Sequence, residues 1–356
     1  MMSEFENTNK NKKVVVAMSG GVDSSTTALL LLEQGYEVVG LTAIMTNAAQ
    51  IAAKNAEKVC NTLGIEHKSL DLRTNFQNTV INYFEESYKN GLTPNPCVFC
   101  NKAVKWGFMK DFAFNELQAD FYATGHYAEI KRINETYRLY KAQDPKKDQS
   151  YMLYKLDQAD LARTLFPLGE LNKTRIKEIA AKNGIAPADN KESQDVCFII
   201  PPETVSLYLT KKFGPKEGNI IDYKTGELLG KHDGYYNYTM GQRKGIKISA
   251  SEPLYVISVD AEQNTIYVGQ KQRLFSEEFD VKEINWQQEE FSTKSSFNAM
   301  VKIRYNSSAQ EAEIFVSGEK TVHIKFKEPK SAITPGQSAV FYDLNNEYVI
   351  AGGIIC

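Results

Sequence analysis

Two hydrophobic rhythms divide this chain. Up to about residue 205, short apolar runs alternate with helical patterns. Val14, Val15, Val16, Ala17 and Met18 are apolar and mostly β-branched, which predicts a buried strand. A helical pattern over 23–34 follows, then an apolar run at 37–43, a helix over 47–63 closed by Gly64, and a short strand over 67–71. Helical patterns near 76–90 and 101–117 lead into a strand at 121–125. Strands alternating with helices predict a parallel sheet with helices on both faces and ligands at the C-terminal strand ends. The stretches 19–25, 42–46, 94–100 and 124–127 are then the places to look for chemistry.

Beyond residue 205 the period shortens and glycines multiply: Gly214, Gly218, Gly226, Gly230, Gly234, Gly241 and Gly245. Short β-type runs occupy 255–259 and 265–268. From about 280 the runs at 297–305, 311–316, 321–326, 338–342 and 348–351 are separated by turn residues, which predicts a small antiparallel barrel. Three regions are expected: an α/β domain over 1–205, a compact glycine-rich module over 206–275 and a C-terminal β-barrel over 276–356. A chain of 356 residues exceeds a single ordinary core, which agrees with that count.

The stretch SGGVDSS, Ser19 to Ser25, joins the first strand to the first helix. Gly20 and Gly21 let backbone approach a ligand, and a helix N-terminus presents unpaired N–H groups to an anion. Ser19, Asp23, Ser24 and Ser25 add hydroxyls and one carboxylate, suited to phosphate oxygens and Mg²⁺. The Gly-Lys-Ser/Thr ending of a Walker A loop is missing, as is the G-x-G-x-x-G spacing of a dinucleotide fold. The segment resembles the SGGxDS loop of the ATP pyrophosphatase superfamily. Members of that superfamily cleave ATP to AMP and pyrophosphate and pass adenylate to a substrate oxygen.

Charge and cysteine content narrow the field. The net charge of −2 puts no strong field over the whole surface, so any nucleic-acid site must be a local patch. Two such patches are candidates. One interleaves Tyr235, Tyr236 and Tyr238 with Arg243, Lys244 and Lys247, aromatics for stacking and cations for phosphates. The other gathers Lys141, Lys146, Lys147 and Lys155. Five cysteines at irregular spacing argue against a disulfide framework and for a reducing compartment, with the cytoplasm expected. No secretory signal and no membrane-length apolar run is seen in the sequence.

Cys97 and Cys100 form a C-x-x-C within TPNPCVFCNK, read as a loop-to-helix junction. Half a zinc site, a redox dithiol and an accident of sequence all fit that pair alone. Cys197, in KESQDVCFII, reads equally as a small buried hydrophobe or a reactive thiol. Lys102 and Lys191 are the nearby cations that would favour a thiolate. Cys60 falls on the apolar face of a helix.

The motifs SGGVDSS, TPNPCVFCN, ATGHYA, KDQSYML, FPLGEL, SQDVCFI, GKHDGYYNYTMGQRKGI and PGQ occur in that order from Ser19 to Gln337. Together they resemble the tRNA-specific 2-thiouridylase family. The resemblance implies an N-type ATP pyrophosphatase domain of the adenine nucleotide alpha hydrolase-like fold, and sulfur insertion at C2 of a tRNA wobble uridine at the expense of ATP. It further implies Cys197 as persulfide carrier and Cys100 as the second catalytic cysteine, which closes a disulfide with Cys197. Ala17, Met18, Ser19, Gly20, Gly21, Val22, Asp23, Ser24, Ser25, Ala43 and Gly125 would meet ATP. Asn95, Pro96 and Cys97 would surround the target base. His126, Lys147, Asp148, Gln149, Arg304, Tyr305 and Gln337 would meet tRNA. A cysteine desulfurase or a sulfur-relay protein would supply sulfur.

Two departures from the family pattern stand out. Many members carry an acidic residue where this chain has Cys97. The segment after Ala43 is short, and Ile44 stands where a basic residue is common. The extra thiol opens an alternative in which Cys97, Cys100 and Cys197 hold a 4Fe–4S cluster with one open position for sulfide. A further alternative is a different ATP pyrophosphatase-type ligase, which needs the loop but no thiols.

Overall fold

A computed structural model of the chain describes residues 9–185 and 196–356. Within these, residues 9–80, 97–185 and 347–349 form one compact unit, and residues 81–96, 196–346 and 350–356 form another.

The first unit is built on a parallel sheet. Its strands are β1 (Lys13–Ala17), β2 (Glu37–Ile44), β3 (Glu66–Asp71) and β4 (Phe121–Thr124). Two further strands, β5 (Ala128–Ile133) and β6 (Thr136–Lys141), make a separate antiparallel hairpin, and the short β7 (Thr164–Leu165) completes the sheet. The sheet order is β3-β2-β1-β4-β7. Strand β1 is central, which is why it reads as an unbroken apolar run: Val14, Val15 and Val16 are fully buried. Helices α1 (Val22–Glu33) and α2 (Ala49–Leu63) close one core, where Val14, Val16, Met18, Ala28, Leu31, Val38, Ala56, Cys60 and Ala123 meet.

The pattern near 76–90 is helical but composite. An α-helical turn at Arg73–Phe76 passes through a π-helical segment at Gln77–Ile81 into the helix Asn82–Lys89. The boundary between the two units falls inside the π-helical segment. Helix Asn82–Lys89 then packs in the second unit, where Phe84 joins Ile199, Leu209, Ile220, Tyr235, Tyr236, Val256 and Ile266 in one core. That core covers a four-stranded sheet in the order Tyr255–Asp260, Thr265–Gly269, Gly218–Asp222, Leu228–His232.

The second unit ends in a closed six-stranded barrel. Its first strand, Phe275–Trp286, has no counterpart in the sequence reading. The stretch FSEEFDVKEINW is too charged to read as a strand, and only Val281 and Ile284 are buried. Cross-strand side-chain pairs compensate, with Glu278 2.9 Å from Lys325 and Asp280 hydrogen-bonded to His323 at 2.8 Å.

Candidate active site

The chain runs outward from β1 to β3 and then returns to β4 on the other side of β1. This reversal is a topological switch point, and ligands of open α/β sheets bind at the C-terminal strand ends beside it. The SGGVDSS loop leaves β1 there, and Gly125 leaves β4. Helix α1 begins at Val22 with Gly21 at its N-cap, and no side chain caps its first N–H groups. Those donors are left for an anion.

Hydrogen bonds inside the loop fix its shape. Ser24 Oγ accepts from the Ser19 amide at 3.1 Å and donates to the Gly21 carbonyl at 3.2 Å. Ser25 Oγ donates to the same carbonyl at 2.8 Å. Gly125 closes on the loop from the other side. A Cβ there would lie 3.0 Å from the backbone carbon of Asp23 and the nitrogen of Ser24. At the strand ends, the buried Met18 donates its amide to Leu41 and accepts the Thr42 hydroxyl at 2.9 Å, one residue before Ala43.

Asp23 has two partners that the sequence reading did not single out. Lys173 Nζ lies 2.7 and 2.8 Å from its two carboxylate oxygens, and the Tyr127 hydroxyl donates to it at 2.7 Å. Tyr127 belongs to the ATGHYA motif. Lys173 directly follows FPLGEL-Asn172, which caps the helix Lys173–Lys182. Both could have been flagged by those motifs, but a contact spanning 150 positions leaves no local signal.

The other motifs of this unit lock onto the same region. Gln149 Oε1 accepts from the Tyr127 amide at 3.0 Å, and the Gln149 amide donates back to the Tyr127 carbonyl at 2.8 Å. The buried Asp148 carboxylate accepts from the amides of Ala142 and Ser150 and from the Ser150 hydroxyl, while Lys147 is half-buried. Asn101 donates to the Met152 carbonyl at 2.9 Å, tying the cysteine-bearing helix to KDQSYML.

Cys97 and Cys100 sit on the helix Pro96–Cys100, which continues as a π-helical segment over Asn101–Met109. Such segments are frequent at functional sites. Cys100 is buried and Cys97 is exposed. Surrounding protein still raises the Cys97 pKa, with the Lys105 charge pulling the other way. Lys102, one candidate cation for a thiolate, has its ammonium paired with Asp157 at 2.8 Å and the buried Asp160 at 2.6 Å. Lys191 lies outside the described residues. Cys60 is buried, with its pKa pushed up to about 11 by burial and then by Glu57.

His126 is buried between Trp106 and Phe166. Desolvation, and then the Lys105 charge, hold its pKa well below 6.5. Lys105 Nζ is 3.3 Å from Nε2 and Thr124 Oγ1 is 2.7 Å from Nδ1. An ammonium only donates, so Nε2 accepts and the imidazole proton sits on Nδ1.

In the second unit, Cys197 is exposed, and the next residues, Phe198 and Ile199, enter the core beside Phe84. Residues 193–195 of its motif lie outside the described residues. Tyr235 and Tyr236, expected as stacking platforms, are core residues instead, 5% and 3% exposed. Arg243, Lys244 and Lys247 remain exposed, and Arg243 and Lys247 line a cavity of 380 Å³. The PGQ motif grips the TPNP segment that precedes the cysteine helix. Gln337 Nε2 donates to the carbonyls of Thr93 at 2.9 Å and Pro94 at 3.0 Å, and the Thr93 amide donates to Pro335. Asn95, the next residue, is half-buried. Arg304 donates to Ala332 and Thr334, and Tyr305 carries the Lys302 ammonium 5.4 Å from its ring centre. Among the described residues, no group of three or more His, Cys, Asp or Glu side chains is placed together as a metal site.

A parallel sheet with an uncapped SGGVDSS loop at its switch point, followed by a closed β-barrel, defines an ATP pyrophosphatase-type protein with appended β-rich regions. A family model described as "tRNA methyl transferase HUP domain" matches residues 12–201. Models described as "tRNA methyl transferase PRC-barrel domain" and "Aminomethyltransferase beta-barrel domain" match residues 206–270 and 276–355. A relative from Nostoc punctiforme, named tRNA-specific 2-thiouridylase MnmA, is 46% identical over 97% of this chain and 99% of its own length. Relatives of the same name from Synechocystis sp. and Syntrophomonas wolfei are 44% and 43% identical, over 97% and 96% of this chain and 97% and 99% of their own lengths. The chain belongs to the tRNA-specific 2-thiouridylase MnmA family.

Proposed function

We propose that this protein thiolates the wobble uridine of tRNA at C2, consuming ATP. The observation that carries the reading is the SGGVDSS loop, uncapped at the sheet's switch point, in a chain that also supplies Cys100 and Cys197. The family relationship supports the same activity. The uridine O2 attacks the α-phosphate of ATP and pyrophosphate leaves. The terminal sulfur of a Cys197 persulfide then attacks C2 and AMP leaves, giving a disulfide between the base and Cys197. The Cys100 thiolate attacks the Cys197 sulfur, which releases thiolated uridine and leaves a Cys100–Cys197 disulfide. An external thiol reductant and a sulfur donor, a cysteine desulfurase or a sulfur-relay protein, reset the pair.

The loop supplies one carboxylate with several hydroxyls, a donor set that fits Mg²⁺ held mainly by phosphates and water. Asp23 would hold that ion, whose charge offsets that of the polyphosphate. ATP falls to 17–25, Ala43 and Gly125, and the base to Asn95, Pro96 and Cys97. The RNA falls to His126, Lys147, Asp148, Gln149, Arg304, Tyr305 and Gln337. For the buried His126 and Asp148, and for the committed amide of Gln337, we read these roles as shaping neighbouring loops. Along the sequence we propose three domains, 1–205, 206–275 and 276–356, a division that the spans of the matching family models support. No helix among the described residues is long and apolar enough to cross a membrane, and a tRNA substrate fits a cytoplasmic setting.

The test is stoichiometry. AMP, pyrophosphate and 2-thiouridine should appear in equal amounts and only with tRNA present. Release of AMP and product by the Cys197→Ser variant would favour a thiol-independent ligase instead.

A further inference from the structure

The pyrophosphate loop contains no cation of its own, unlike a Walker A loop. The first unit delivers one from elsewhere in the chain. Lys173 is the first residue of its helix; its backbone amide is held by Asp144 at 3.2 Å and its side chain is largely covered. Its ammonium reaches both oxygens of Asp23. Asp23 does not depend on that ammonium alone, because the Tyr127 hydroxyl donates to it at 2.7 Å. The lysine can therefore turn to another anion while Asp23 keeps a hydrogen-bond partner.

We propose that Lys173 is the catalytic cation of the loop: it holds Asp23 in the free protein and binds the pyrophosphate oxygens of ATP and of the leaving group. The inference rests on the ATP reading above. Its physical basis is competition for one partly desolvated ammonium between a carboxylate and a more highly charged phosphate, a stronger acceptor for a charge-assisted hydrogen bond. Tyr127 and Asp144 are positioning residues, one for the carboxylate and one for the start of the lysine's helix.

The test uses inorganic pyrophosphate as probe, with the full-length protein in EDTA so that no metal bridges it to Asp23. Calorimetry should show affinity falling on the order of tenfold or more in Lys173→Met, the loss of one charged hydrogen bond. Lys173→Arg should keep most of it, and Asp23→Asn should bind pyrophosphate more tightly than wild type, because it frees the ammonium and removes a like charge. If Lys173 only positions Asp23, breaking the pair from either side has the same effect, and both variants weaken binding. That result would overturn the proposal, as would unchanged binding in Lys173→Met. If Lys173→Met does not fold, Lys173→Gln in the Asp23→Asn background decides: it should bind pyrophosphate more weakly than Asp23→Asn alone, and unchanged binding there would overturn the proposal. Wild-type protein that binds neither ATP with Mg²⁺ nor pyrophosphate would instead overturn the ATP reading and this proposal with it.

Discussion

Replacing Gly20 by alanine tests how tightly the loop is built into the sheet's edge. Gly20 has φ +72°, and a Cβ there would sit 2.8 Å from Asn55 Cβ and 2.9 Å from the Ala52 oxygen and the Ala56 nitrogen, all on α2. A left-handed conformation costs a non-glycine residue about 1–2 kcal/mol. Backbone atoms of a helix cannot step aside cheaply, and forcing atoms into a packed region costs about 1–3 kcal/mol more. Alanine also restricts the unfolded chain, which returns roughly 0.5–1 kcal/mol. The expected net loss is about 2–4 kcal/mol. Gly35 is the control: φ is +85° but nothing lies within 4 Å of the added carbon, so only the strain remains and about 1 kcal/mol is expected. Urea unfolding of both variants, with ATP titrations alongside, separates the two contributions. Gly20→Ala should be clearly less stable than Gly35→Ala and should bind ATP more weakly, while Gly35→Ala binds as wild type. Equal stabilities with unchanged ATP affinity would refute the claim that α2 fixes the loop.

Other expectations follow from the same geometry. Gln337→Leu removes two hydrogen bonds to the 93–94 carbonyls, which should lower stability by about 1–2 kcal/mol and slow thiolation with tRNA affinity within about twofold. A large loss of tRNA affinity at unchanged stability would put Gln337 on the RNA instead. His126 has a depressed folded pKa, so below about 6.5 the unfolded chain takes up a proton that the folded state refuses, and stability falls as pH falls. His126→Gln should reduce that slope by up to about 1.4 kcal/mol per pH unit, read from urea midpoints between pH 7.5 and 5.5, and an identical slope would contradict the buried neutral imidazole. Arg243→Ala and Lys244→Ala should weaken tRNA binding and lower its salt dependence by about 0.7 per lost contact to single-stranded backbone. An unchanged slope would take this loop off the phosphates.

The central strand and the loop after it were legible because both are local: three valines in a row, then two glycines and three serines around one aspartate. The barrel's first strand was not, because it is rich in charged residues, of which Glu278 and Asp280 pair with Lys325 and His323 of another strand. Helix Asn82–Lys89 could be read as a helix, but nothing local says that Phe84 packs beside Ile199 and Tyr235. Aromatic spacing around 235–238 could not separate stacking platforms from core residues, since both need the same side chains. In the site, the loop was visible and its cation was not: Lys173 comes to Asp23 only through the packing of a late helix on α1. The PGQ motif was visible as a motif, while its grip on Thr93 and Pro94 is a contact across more than 240 positions.

The most direct test of the account is mass spectrometry of tRNA nucleosides after incubation with ATP, Mg²⁺, a persulfide donor and a thiol reductant, run on protein whose iron and sulfide have been assayed. The account predicts 2-thiouridine at the wobble position from iron-free protein, retained in Cys97→Ala and absent in Cys100→Ser and Cys197→Ser. Thiolation that survives Cys197→Ser, or that requires iron and is lost in Cys97→Ala, would contradict it.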